Sequence, residues 1–348
     1  MTEPDLAASH PNRSAEAVLA RAWQRRGPLA CLLWPLSLLF GALAALRRAL
    51  YAHGLKRAER LAAPVIVVGN VFVGGTGKTP FAIWLIEALR AAGYTPGVVS
   101  RGYGGEQEVA EVGVDSSPAR VGDEPLLIVQ RTGAPLVVGR RRAEAGRALL
   151  AAHPEVDVVI SDDGLQHYAL ARDIEIVLSD ARGIGNGWLL PAGPLREPAS
   201  RRRDFSVVNL PADGSAPDGA HAMRLEAGEA LQLAPPAARR PLASMGEGGM
   251  RIAAVAGIGN PGRFFATLRG AGLAFAEHPL PDHDDFAGQP FAGLAADVIL
   301  ITEKDAVKCR AIETIRNDPR IWVVPVSARI DGALAEHIVE KLRERPTA

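Results

Sequence analysis

The sequence predicts an α/β fold, with a parallel sheet covered on both faces, a second and smaller α/β lobe, and an apolar helix ahead of both. Three observations predict it. Short Val/Ile runs recur without the polar alternation of a half-exposed strand. Helical stretches of ten or so residues stand between them, as right-handed crossover units require. A glycine-rich turn follows the first of these strands and opens the first helix after it. At 348 residues the chain can bury a substantial core and divide into two domains.

Composition removes other classes. With 48% hydrophobic residues the chain is not of disordered type, and its 36 Gly and 26 Pro follow no collagen period. The 39 Lys+Arg balance the 39 Asp+Glu, so the basic excess of a nucleic-acid binder is missing. Cys31 and Cys309 stand far apart without a CxxC, which argues against a disulfide framework or zinc site.

The first element is an uncharged run between Arg26 and Arg47. Its apolar part, Pro28 to Leu46, would span roughly 28 Å as a helix, close to the ~30 Å hydrocarbon core of a bilayer. A cleaved signal peptide is disfavoured, because about 26 residues precede the run and no small-residue cleavage site stands cleanly before Arg47. A transmembrane helix would have Arg21, Arg25 and Arg26 on one side and Arg47, Arg48, Lys56, Arg57 and Arg60 on the other, which sets no orientation. A helix in the membrane interface suits both flanks, and a buried core helix is the plain alternative. The expectation is membrane attachment at the cytoplasmic face.

From Pro64 onward strands are predicted at Val65–Val68, Gly97–Val99, Leu136–Val138, Val156–Ile160 and Ile174–Leu178. Helices are predicted at Phe81–Ala92 and Arg142–Ala152. Pro211 to Gly249 reads as a passage between lobes with one edge strand at Met223–Leu225. A second α/β series follows: Ile252–Ala256, a helix near Arg263–Leu268, Val298–Ile301 and Trp322–Val326. A last amphipathic helix carries Leu334, Ile338 and Leu342 at four-residue spacing.

Gly69-Asn70-Val71-Phe72-Val73-Gly74-Gly75-Thr76-Gly77-Lys78-Thr79 has the strand, turn, Gly-Lys-Thr and helix of a P-loop. Glycines let backbone N–H groups converge on phosphate oxygens, and the helix N-terminus favours anions. Lys78 then reaches the β/γ-phosphates and the Thr79 hydroxyl ligates Mg²⁺. Phe72 stands where the first glycine usually falls, leaving Gly74 and Gly75 to supply the freedom. No guanine-reading Asn-Lys-x-Asp occurs, which favours ATP. The fold class is thus a P-loop NTPase-like parallel sheet with a smaller α/β lobe and an N-terminal membrane-associated helix. The expected boundaries are 1–62 for polar tail and helix, 63–210 for the P-loop core, 211–250 for the inter-lobe segment and 251–348 for the C-terminal lobe.

Three acidic groups accompany this loop. Asp162 and Asp163 end the Val156–Ile160 strand where a Mg²⁺-holding acid sits in P-loop folds, although Asp-Asp-Gly also suits a turn. Asp123 and Glu124 precede a helix begun near Pro125, where capping alone would explain them. Asp282-His283-Asp284-Asp285 has the composition of an oriented general base, in a loop where such clusters come cheaply. Arg101, Arg142 and Arg196 offer forks for substrate phosphates, and solvated faces are their ordinary explanation.

In order along the chain, these segments resemble the tetraacyldisaccharide 4'-kinase family, the lipid A kinases of Gram-negative bacteria. The resemblance rests on Gly74 through Pro80, Ser100-Arg101-Gly102-Tyr103-Gly104, Gly122-Asp123-Glu124-Pro125 and Asp162-Asp163-Gly164-Leu165-Gln166-His167. It continues through Gly185-Asn186-Gly187, Leu190 to Glu197, Gly257-Ile258-Gly259-Asn260-Pro261 and Thr302-Glu303-Lys304-Asp305-Ala306-Val307-Lys308. It implies transfer of the ATP γ-phosphate to the 4'-hydroxyl of tetraacyldisaccharide 1-phosphate, giving lipid IVA in lipopolysaccharide biosynthesis. It further implies Asp123 as base assisted by His283, with Lys78 at the phosphates and Val73 through Pro80 around the nucleotide. Thr79, Glu124, Asp162 or Asp163, and Gln166 are implied at Mg²⁺, and Arg101, Arg142, Asn186 and Arg196 toward the substrate. The family often has a second His where this chain has Asp284. The partners implied are the lipid substrate and the cytoplasmic face of the inner membrane, with neither nucleic acid nor an obligate protein partner.

Two other classes share parts of this pattern. A membrane-associated partitioning ATPase would carry a signature Lys where Val73 stands, and a soluble kinase of a small metabolite would have no use for the apolar helix.

Overall fold

Val65–Asn70 (β1) is apolar on both faces and buried throughout, as a central strand of a covered parallel sheet must be. Around it the chain builds two sheets within the larger of two compact units, which runs over Ala58–Asn70, Gly74–Ala181 and Arg203–Ala348. The structure, a computed structural model, describes residues 18–19, 21–102, 108–211 and 213–344. The expected polar tail at residues 1–17 lies outside them, as do Tyr103 and Gly104 of the arginine–glycine segment.

The strands following β1 are Pro96–Ser100 (β2), Ala110–Glu111 (β3), Leu136–Val138 (β4), Val158–Asp162 (β5), Ile174–Asp180 (β6), Phe205–Asn209 (β7) and His221–Ala227 (β8). Next come Ala230–Gln232 (β9), Arg239–Arg240 (β10), Ile252–Ala256 (β11), Ala276–Pro279 (β12), Val298–Thr302 (β13), Ile321–Val324 (β14) and Val326–Ile330 (β15). The principal helices are Pro28–Ala52 (α1), Lys78–Ala91 (α2), Asp123–Thr132 (α3), Arg142–Ala152 (α4), Pro261–Gly270 (α5), Glu303–Cys309 (α6) and Gly332–Arg343 (α7).

The larger sheet has the order β15-β8-β7-β6-β1-β5-β2-β4-β3. From β8 to β4 its neighbours are parallel, and the edge strands β3 and β15 run antiparallel. β1 lies between β5 and β6, and its register sets Val68 opposite Asp162. The smaller sheet, β10-β9-β14-β13-β11-β12, has a parallel centre and the antiparallel strands β9 and β10 at one side.

Sheet membership cuts across the boundaries expected at 210 and 250. The stretch read as one edge strand, Met223–Leu225, is the middle of β8, which is interior and lies between β7 and β15. The single strand expected at Trp322–Val326 is two, because Pro325 interrupts the ladder and the chain changes sheets there. The Pro325 carbonyl accepts from the Gly228 N–H (2.9 Å), so both crossings are made side by side. β15 and α7 thereby return the chain's end to the larger sheet, where Leu334, Ile338 and Leu342 are buried.

The smaller unit comprises Met1–Arg57, Val71–Val73 and Arg182–Arg202. Within it α1 is bolted to the 186–195 loop. Ser37 Oγ donates to the Leu189 carbonyl (2.6 Å) and accepts from Ala192 N (2.9 Å), and Trp23 Nε1 donates to the Pro191 carbonyl (2.9 Å). Gly41 is needed here, since a Cβ would stand 2.9 Å from Leu189 Cδ1. Most of the helix is otherwise exposed, with Leu32, Leu36, Leu39, Leu43 and Leu46 all at the surface, which excludes the buried-core alternative. By length and composition α1 is able to cross a membrane, which is weak evidence of membrane association.

Candidate active site

The phosphate loop begins where β1 ends. Gly74 and Gly77 adopt φ of 100° and 95°, the left-handed conformation that glycine takes without strain. Asn70 braces the loop from below, its Nδ2 donating to the Gly74 carbonyl (3.0 Å) and its Oδ1 accepting from Lys78 Nζ (3.1 Å). From β7, Asn209 Nδ2 donates to the Thr76 carbonyl (3.1 Å), and any Cβ at Gly77 would sit 2.7 Å from that nitrogen. The first turn of α2, carrying Lys78 and Thr79, opens onto this loop, so its unpaired N–H groups are available to an anion. Phe72 is accounted for as well. It belongs to the smaller unit, where it bridges Leu195 and lies under the Arg182 guanidinium (4.5 Å).

Acids crowd around Lys78. Asp163, at the sharp turn after β5 with φ of 47°, approaches Lys78 Nζ to 3.6 Å. Asp162 is buried, with Ser100 Oγ donating to its Oδ2 (3.2 Å) and its Oδ1 without a hydrogen-bond partner among the described residues. Burial, then the negative charges of Glu124 and Asp163, push its pKa up to about 6 against the pull of Lys78 and Arg142. An unpartnered buried carboxylate oxygen among crowded acids is a donor set that fits a hard divalent cation. No group of three or more His, Cys, Asp or Glu among the described residues is arranged to hold such an ion unaided. Mg²⁺ characteristically takes one or two carboxylates together with substrate phosphates and waters.

Asp123 and Glu124 form the first turn of α3, entered through Gly122 at φ of 90°. Asp123 is 5% exposed, and its Oδ2 accepts from His283 Nδ1 (3.2 Å), since a carboxylate can only accept. Burial opposes its ionisation, but the His283 hydrogen bond and the charges of Lys304 and Lys308 outweigh it and hold the pKa below the usual range. The same hydrogen bond raises the pKa of His283 despite partial burial. Lys304 Nζ donates to Glu124 Oε1 (2.9 Å) and lies 3.9 Å from Asp123 Oδ2, while Lys308 Nζ approaches Asp123 Oδ2 to 3.8 Å.

One cavity is lined by part of this set. Gly75 through Pro80, Glu124, Asn260, Arg263 and Lys304 line it, together with the apolar Ile83, Leu127, Leu225 and Phe264. The composition suits a ligand with a polyanionic end and a flat apolar end. The tetraacyldisaccharide-1-P 4'-kinase family model matches residues 29–343. Tetraacyldisaccharide 4'-kinase of Janthinobacterium sp. (strain Marseille) is 60% identical over 339 residues, covering 96% of this chain and 98% of that protein.

The chain belongs to the tetraacyldisaccharide 4'-kinase family.

The kinase of Herminiimonas arsenicoxydans is likewise 60% identical, over 94% of this chain and 96% of its own. A crystal structure of LpxK from Aquifex aeolicus in complex with ATP superposes with a TM-score of 0.74 at 27% identity, covering 90% of this chain and 99% of that one.

In this kinase the structure brings together Lys78, Thr79, Asp123, Glu124, Asp162, Asp163 and His283, drawn from four separate segments of the chain. Gln166 is half-buried in the turn after Asp163. Arg142 has a bracing position. It is buried, donates to the carbonyls of Gly139 (2.7 Å) and Asp162 (3.4 Å), and has its pKa lowered to about 10, chiefly by burial. Arg101 is exposed after β2. Val73, Asn186 and Arg196 belong to the smaller unit. There the Val73 N–H donates to Pro194 (2.9 Å), the Arg196 N–H to Val71 (2.7 Å), and Asn186 Nδ2 to Ala192 (2.8 Å).

Sequence reasoning assigned no role to Lys304, Lys308, Asn70, Asn209, Ser100 or Arg263. The four-residue spacing of Lys304 and Lys308 on α6 was a usable signal, because it sets both ammonium groups on one helical face. Arg263 pairs with buried Asp180 (2.8 Å), a contact across 83 residues that no local pattern announces.

Proposed function

We infer that this kinase transfers the γ-phosphoryl group of ATP to the 4'-hydroxyl of tetraacyldisaccharide 1-phosphate, forming lipid IVA in lipid A biosynthesis. The observation that carries the reading is one cavity lined by the phosphate loop and by Glu124, next in the chain to buried Asp123, which pairs with half-buried His283. The relative from Aquifex aeolicus was solved with ATP, which supports that nucleotide here.

The chemistry needs positioning and charge more than covalent help. The bond from the γ-phosphorus to the β,γ-bridging oxygen breaks, and a bond to the sugar oxygen forms. Loop N–H groups and Lys78 receive the phosphate oxygens and neutralise charge that builds on the leaving group. Asp123 accepts the hydroxyl proton, and His283 at its other side takes the charge change and holds the carboxylate in orientation. Thr79, Glu124, Asp162 or Asp163, and Gln166 would hold Mg²⁺. When bound it supplies neutralisation of the β- and γ-phosphate oxygens. Arg101 is the arginine we assign to the substrate's own phosphate.

A four-acyl substrate leaves a bilayer only at ~0.8 kcal/mol per buried CH₂, so the enzyme must work at the lipid surface. The exposed leucine face of α1 supports attachment to the cytoplasmic face of the inner membrane. Incubating the protein with γ-labelled ATP, Mg²⁺ and the acylated disaccharide tests the function. Label moving into the lipid is expected, and release as inorganic phosphate alone would refute it.

A further inference from the structure

We propose that Lys304 is a catalytic cation held in reserve, its ammonium paired with Glu124 beside the phosphate loop until Glu124 turns to the metal and Lys304 passes to the γ-phosphate. This inference rests on the kinase reading above and assigns a role to the Thr302–Lys308 segment, which that reading leaves without one.

Three observations and one electrostatic argument carry it. Lys304 lines the same cavity as Gly75 through Thr79, so its side chain already faces the space where phosphates belong. Its present partner is Glu124 (2.9 Å), a carboxylate of the set that fits a divalent cation. A carboxylate that shares its charge with a metal ion holds an ammonium less tightly, so loading the site loosens Lys304. The carboxylate it would leave, Asp123, keeps a cation in any case, because Lys308 Nζ stands 3.8 Å away with no hydrogen-bond partner among the described residues.

The backbone under Lys304 is fixed, so motion falls to the flexible four-carbon side chain. Thr302 caps α6 by accepting from Asp305 N (3.1 Å), and buried Asp305 accepts from Thr302 Oγ1 (2.7 Å) and Gly257 N (3.1 Å). Arg131 of α3 grips Glu303 with contacts of 2.7 and 2.8 Å to its two carboxylate oxygens. The site also has a need for the charge. Asp123, Glu124, Asp162 and Asp163 face a triphosphate with Lys78 as the loop's own ammonium, and a second cation at the transferred group lowers the cost of its developing charge.

The test uses the full-length protein as wild type, Lys304→Gln, Lys304→Arg and Arg131→Gln. Two readouts are taken: Mg²⁺ titration of fluorescent ADP binding, which needs no lipid acceptor, and steady-state transfer to the acylated disaccharide. For Lys304→Gln we expect kcat to fall roughly 10²–10³-fold with KM for the lipid within about threefold. Half-saturating Mg²⁺ for ADP binding should fall roughly fivefold or more, because the competing ammonium is gone. Lys304→Arg should regain at least about tenfold of the lost kcat by restoring the charge. Arg131→Gln should melt lower yet keep kcat within about threefold, since it loosens the same helix contact without moving the ammonium. Unchanged Mg²⁺ dependence in Lys304→Gln, or an equal loss of kcat in Arg131→Gln, overturns the proposal. Wild type that labels no lipid would instead overturn the functional reading, and the ADP titration would still judge Lys304.

Discussion

The two sides of the catalytic cavity are assembled in opposite ways. On one side, Lys78 meets Asn70 eight residues away, and Asn70 meets Gly74 at four. On the other, His283 meets Asp123 across 160 residues and Lys304 meets Glu124 across 180. A loop closed over a few residues keeps its shape through its own glycines and the strand beneath it. A set of ion pairs closed over most of the chain exists only once both sheets are formed and docked. The difference suggests a division of labour, in which the local side binds phosphate and the long-range side acts on what is bound. Each substitution below should separate the two.

Apart from loss of the base itself, the largest effect belongs to Lys78→Met. It should lower turnover roughly 10²–10³-fold and weaken nucleotide binding in parallel, since the lysine serves both ground state and transition state. Equilibrium binding of labelled ATP beside kcat would show the two falling together.

Asp162→Asn should act on stability. Its raised pKa means the folded protein keeps a proton that the unfolded chain has released. Stability therefore falls as pH rises from about 4 to about 6 and stays lowered above that, by up to about 3 kcal/mol. The Asn variant should remove that slope, so ligand-free protein melts higher than wild type at pH 7 and equally at pH 4, while Mg²⁺ no longer raises its melting temperature as much.

His283→Ala should cost roughly 10–100-fold in kcat with nucleotide affinity kept. The His283 and Asp123 shifts have opposite signs. The Asp123 contribution to stability is present above the ordinary carboxylate pKa of 3.8 and lost as pH falls through its lowered folded value. That of His283 is present below 6.5 and lost as pH rises through its raised one. The pair is thus at full strength between those limits, and the Ala variant should lose the alkaline limb of the pH–rate profile. The smallest change is expected from Asn209→Ala, which removes one brace of the loop and should raise KM for ATP a few-fold, by roughly 1 kcal/mol.

The same contrast decides how much of the molecule was legible beforehand. β1, β4, the P-loop and α4 follow from apolar runs, glycines and a helical period within a dozen residues and stand where those signals put them, while β5 lies two residues later than its apolar run, at Val158–Asp162, and takes Asp162 into the strand. Phe72 was legible only as a departure from pattern. Its reason lies in the pairing of residue 72 with 195, which no local rule contains. Met223–Leu225 reads as an edge strand because the Ala-, Pro- and Gly-rich stretch around it has only weak periodicity, and the partner that covers β8, β15, enters about a hundred residues later beyond Pro325. At the site, Asp123 and His283 could be named through family resemblance, whereas the roles of Lys304 and Lys308 emerged only when α6 was seen against α3.

The most direct test is ATP titration of Asp123→Asn, with transfer measured on the same sample. If the long-range side acts on a phosphoryl group that the loop binds independently, ATP affinity should stay within about threefold of wild type while transfer drops at least roughly 10³-fold. An affinity that collapsed in step with transfer would contradict the division, and would make Asp123 part of the nucleotide and metal site rather than the base.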